Sequence, residues 1–175
     1  MEMRIYVANL AAYNAGFLVG EWIDLPLEKD ELWSRIQKIL DKWNDGCRPS
    51  EEWAIHDYEG FPFEVSEYSN VDKLNKIAET LNNLNEDEDV IKAVFDLLNR
   101  DEALEKLQNG EYRVYDDCDS MGDVAYQLYE ESGRLAEIEK VISSSYIDWE
   151  VIGRDMEIEG TFKYIGNSRF VEIID

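Results

Sequence analysis

A chain of 175 residues, 45% apolar and carrying five tryptophans, has the material for one ordinary folded domain and is too rich in aromatics for a disordered acidic tail. Forty acids against 17 bases give a net charge of −23, which argues against direct binding to nucleic acid or to an anionic membrane, because both reward Lys and Arg. Cys47 and Cys118 form no framework, and neither a secretory signal nor an apolar run of about 18 residues is visible, so a cytoplasmic protein with reduced thiols is expected.

In chain order, Arg4 to Ala8 alternates apolar and polar residues as a half-buried strand does. Asn9 to Gly16 supplies turn chemistry, and Leu18 to Leu25 returns as a second strand that Pro26 stops. Leu27 to Asn44 places Leu32, Trp33, Ile36, Ile39, Leu40 and Trp43 at helical spacing, with Asp30 as the expected N-cap and Asp45-Gly46 as the terminator. After a loop with Pro49, Glu51 to Gly60 reads as a third strand, so the opening predicts a small antiparallel sheet with a helix across it.

Asn70 is expected to cap a helix carrying Leu74, Ile77, Ala78 and Leu81, and the acids Glu86 to Asp89 open a further one carrying Val90, Ile91, Val94 and Phe95. A short helix from Asp101 to Gln108 ends at Asn109-Gly110, and Glu111 to Tyr115 reads as a strand. Ser120 is placed to cap a helix over Met121 to Ser132, and a second helical stretch falls around Ile147 to Ile152. The end, Gly160 to Gly166 and Arg169 to Ile174, predicts a hairpin turned at Gly166-Asn167. Each of the stretches 1–61, 62–103 and 104–175 has an excess of acids alongside core residues, so the charge is expected to coat a folded α+β body.

Candidate chemistry is sparse. His56 is the only histidine; Asp57 follows it, but neighbours along a strand face opposite ways, so His56 reads as a surface or structural residue. The run Asp116 to Asp123 has partial calcium-loop spacing, but Met121 and Leu128 occupy two ligand positions, which makes it a helix-capping acidic turn. No metal site and no cofactor are expected. A carboxylate-dependent hydrolase stays open as an alternative, since among 40 acids some pair always lies at a suitable separation.

Four blocks in order carry a resemblance: Arg4 to Leu10, Leu18-Val-Gly-Glu-Trp-Ile-Asp-Leu-Pro26, Glu52-Trp-Ala-Ile-His-Asp-Tyr-Glu-Gly60, and Asp148-Trp-Glu150 with Gly153-Arg-Asp155. Together they resemble the ArdA antirestriction family. The resemblance implies a non-enzymatic acidic DNA mimic that binds type I restriction-modification enzymes as an elongated homodimer and is encoded on mobile genetic elements. It implies three small domains: an N-terminal α/β domain at 1–61, a helical middle at 62–103, and a C-terminal α/β domain at 104–175 with the dimer contact. The family's antirestriction motif corresponds to the region from Asp123 to Glu137, with Tyr126, Leu128, Tyr129, Glu130, Glu131 and Leu135.

The candidate partner-binding acids are Glu86, Asp87, Glu88, Asp89, Asp96, Asp101, Glu102, Asp116, Asp117, Asp119 and Asp123. At one phosphate charge per roughly 1.7 Å, the net charge of two such chains equals that of about 80 Å of duplex. An acidic chaperone or decoy for another basic DNA-binding protein is the alternative within the same class.

Overall fold

In the computed structural model, which describes residues 1–43 and 50–174, the chain is mixed α+β. The described residues hold eight α-helices and two small antiparallel sheets. The chain forms two compact units, Met1–Asn85 and Glu86–Asp175. Among the described residues no helix is long and apolar enough to cross a membrane. The expected helix terminator Asp45-Gly46, Cys47 and the Pro49 loop lie outside the described residues.

The N-terminal unit is built on β1 (Met3–Asn9), flanked by β2 (Gly20–Leu25) and β3 (Trp53–Glu59) in the order β2-β1-β3. Met3, Ile5 and Val7 point to one face, as the alternation predicts, and are fully buried with Ile23 of β2 and Ala54 and Ile55 of β3. Helix α2 (Lys29–Asp41) contributes Leu32, Ile36, Ile39 and Leu40 to the core. Trp33 does not join that stripe and stays 40% exposed. Helix α3 (Val71–Asn83) opens on Asn70, whose side-chain oxygen accepts from the Lys73 amide as expected.

Three expectations for this unit are corrected. The stretch after Asn9 contains a short helix, α1 (Leu10–Asn14). Asn9 has φ −79° and is its N-cap, not a left-handed turn residue. Helix α2 begins before Asp30, because a reciprocal pair of hydrogen bonds between the Leu27 backbone and the Asn75 side chain, 2.8 Å each, fixes the entry of the chain. Finally, β3 does not alternate throughout: Tyr6 pairs with Asp57 and Val7 with Ile55, so His56 is the extra residue of a β-bulge.

The C-terminal unit pairs a helical pair, α4 (Glu88–Leu97) and α5 (Arg100–Asn109), with a second sheet. That sheet runs β4 (Tyr112–Tyr115), β6 (Arg169–Ile173), β5 (Phe162–Gly166). Gly110 closes α5 in the left-handed region at φ 66°, the termination its sequence predicts. The two-residue loop of the hairpin is Asn167-Ser168, both at positive φ, one residue later than expected.

Helices α6 (Met121–Glu131), α7 (Arg134–Glu139) and α8 (Trp149–Glu159) complete the unit. The helix expected around Ile147 to Ile152 starts at Trp149 because Asp148 accepts from the Val151 amide, and it continues to Glu159. Tyr115, Cys118, Met121, Val124 and Phe170 form one core cluster, with Leu128, Met156 and Phe162 packed against it. A Cβ on Gly153 would stand 2.3 Å from the Met121 carbonyl, so the approach of α8 to α6 depends on that glycine.

Candidate functional site

The acids expected to meet a partner do not share one environment. Asp87 caps α4 through the Asp89 amide (3.0 Å) and accepts from Arg169 at the start of β6 (3.0 Å). The Asp89 amide first, and Arg169 next, hold its carboxyl below the usual carboxylate range. Asp89 lies 3.8 Å from the same guanidinium. Asp96 accepts from Lys163 of β5 at 2.7 Å. Glu86 accepts from the Tyr112 hydroxyl, and burial, with that carboxylate beside it, pushes the phenol up to about 12. These acids fasten α4 to the sheet.

The acidic turn before α6 is a cap, as its failed ligand spacing predicted. Asp123 accepts from the amides of Asp119 (3.0 Å) and Ser120 (2.9 Å), while Ser120 accepts from the Asp123 amide, completing a capping box. Asp119 itself accepts from the Ser168 hydroxyl. Burial pushes the Cys118 thiol up, and the surrounding carboxylates, Asp123 foremost, add to the shift. Among the described residues no group of three or more His, Cys, Asp or Glu side chains is placed to hold a metal.

What remains open to a partner is a smaller set. The carboxylates of Glu102, Asp116 and Asp117 are exposed and have no partner among the described residues. Asp101 is 85% exposed, touched by Arg100 at 3.3 Å.

The residues of the expected antirestriction motif fall together on α6 and α7 but play separate parts. Leu135 is buried and Leu128 packs on the core cluster. Tyr126 and Tyr129 both stand edge-on to Trp149, with ring centroids at 5.3 and 5.4 Å. Glu130, Glu131 and Glu137 point to solvent, Glu131 accepting from Gln127 (2.8 Å) and Glu137 paired with Lys140. Sequence reading missed Trp149 as the ring against which both tyrosines pack. It also missed Val141 and Tyr146, 89% and 80% exposed, which stand on either side of the serine run 143–145.

In the N-terminal unit the bulge at His56 overturns the argument that His56 and Asp57 face opposite ways. Both are exposed and line one cleft, together with Tyr13 and Glu67. Glu67 lies 4.0 Å from the His56 Nε2.

Comparison with curated proteins finds no match. A family model described as Antirestriction protein (ArdA) matches residues 5–170, nearly the whole chain and, Arg4 apart, the four blocks noted above. The chain therefore belongs to the ArdA family of antirestriction proteins.

Proposed function

We propose that this antirestriction protein is a non-enzymatic DNA mimic that occupies the DNA-binding groove of type I restriction-modification enzymes. The observation that carries the reading is a net charge of −23 on a folded chain of this family. Exposed carboxylates such as Glu102, Asp116 and Asp117 would meet the Lys and Arg side chains with which such a groove holds phosphates. The mimic presents no base edges, so it competes through charge and shape. The same charge disfavours binding nucleic acid itself.

The active form in this reading is an elongated homodimer, its three segments 1–61, 62–103 and 104–175 together following the groove. Exposed apolar residues near the expected motif, Val141, Ile142 and Tyr146, favour a subunit contact on that side.

The test is cleavage of unmodified DNA by a purified type I restriction enzyme, titrated with the protein at several salt concentrations. Stoichiometric loss of cleavage, relieved by excess competing DNA, is expected. Neutralising Glu102, Asp116 and Asp117 in groups should weaken inhibition by degrees. Full cleavage at large excess of inhibitor, or complete loss of inhibition in a folded single variant, rejects the reading.

A further inference from the structure

The N-terminal unit holds a cleft of about 470 Å³ that the enzyme-inhibitor reading does not use. Its floor is apolar: Ile55 and Val65 are 3% and 7% exposed. The Ile55 amide donates to the Glu67 carbonyl (3.0 Å), which lays the segment carrying Glu67 along the edge of β3. Rings form the walls: Tyr13 stands edge-on to His56 with centroids 4.8 Å apart, and Tyr58 follows along the strand. Asp57 and Glu67 supply two carboxylates, and among the described residues no Lys or Arg lines the cleft. The bulge at His56 is what brings Asp57 round to the same mouth.

This combination selects a ligand by exclusion. The carboxylates repel phosphates and other anions. The aromatic walls and apolar floor favour a cation with a flat head and an aliphatic stem over a compact hydrated one. A guanidinium meets both demands, because its planar fork pairs with a carboxylate while its faces lie against rings. We propose that the cleft binds an arginine side chain presented by a protein partner. Only the owner of that arginine, a basic groove of a restriction enzyme, rests on the reading above; the preference of the cleft does not.

The test titrates the full ¹⁵N-labelled chain with N-acetyl-arginine methylamide and, separately, with its lysine counterpart. Amide shifts concentrated at Ile55 to Tyr58 and at Glu67 are expected, with arginine bound about threefold or more tighter than lysine. Glu67→Gln and Tyr13→Ala should each weaken arginine binding by about threefold or more. Tyr13 is 51% exposed, so its replacement leaves the core untouched. Glu157→Gln, in the other unit, should change nothing. Shifts scattered over the acidic surface, equal affinity for the two amides, or unchanged binding in both cleft variants would overturn the proposal. Arginine binding without inhibition of any restriction enzyme would sink the enzyme reading alone, and inhibition without arginine binding would sink the cleft alone.

Discussion

At the centre of the N-terminal unit the polar side chains are uncharged, whereas in the C-terminal unit the contacts that tie α4 to the sheet are made by carboxylates nearer the surface. Asn9, fully buried, accepts from the Ala12 amide (3.0 Å) and the Ser50 hydroxyl (3.2 Å) and donates to the Leu40 carbonyl (3.2 Å). One amide thus starts α1 and satisfies the end of α2. In the other unit, Asp87 to Arg169 and Asp96 to Lys163 do the joining at positions that water still reaches. The difference has a physical cause. A buried charge must overcome several kcal/mol of desolvation, and a neutral amide with all its bonds made carries far less risk. A chain with this many acids keeps them where solvent shares the cost.

That contrast can be broken most sharply at Asn9. Asn9→Ala removes a helix cap and takes one partner each from the Leu40 carbonyl, which keeps the Trp43 amide (3.4 Å), and from the Ser50 hydroxyl, which keeps the Trp43 carbonyl (3.4 Å), so a loss of about 1–3 kcal/mol is expected. Hydrogen exchange should show it in the amides of Met1–Asn85, with those of Glu86–Asp175 unchanged. The matching break in the C-terminal unit is steric. Gly153→Ala drives a methyl into the Met121 carbonyl and should cost roughly 1–3 kcal/mol by forcing α8 away from α6. Equal loss of protection in both units, for either variant, would mean that the two do not open separately.

How much of this was legible depended on whether the signal was local. The three N-terminal strands, the Asn70 and Ser120 caps and the Gly110 stop were readable because period and capping chemistry sit within a few residues. Asn9 misled because asparagine suits a turn and an N-cap alike, and only the Leu40 carbonyl, 31 residues away, decides between them. The start of α2 was set by Asn75, equally remote in sequence. The bulge at His56 leaves no mark in the residue pattern, so the cleft was invisible. The acids were visible as charge, but Arg169 lies 82 residues beyond Asp87 and Lys163 lies 67 beyond Asp96, so which acids are already engaged could not be read.

Asp87 gives the finest test of the comparison, because its cap and its charge can be separated. Asparagine caps a helix about as well as aspartate, so Asp87→Asn keeps the bond to the Asp89 amide and loses only the charge. What disappears is the attraction to Arg169 and to the positive end of α4, together about 0.5–1 kcal/mol at an exposed site. The folded carboxyl titrates below its unfolded value of 3.8, so this contribution is complete above that pH and is lost as the pH falls through the lower folded value. Wild type should therefore melt above Asp87→Asn at pH 7 and still do so at pH 5. The gap should close as the pH drops well below 4, where both proteins carry a neutral group at position 87. A gap that persists in strong acid would assign the effect to the shape of the cap, and one absent at pH 7 would show Arg169 to be held by Asp89 alone.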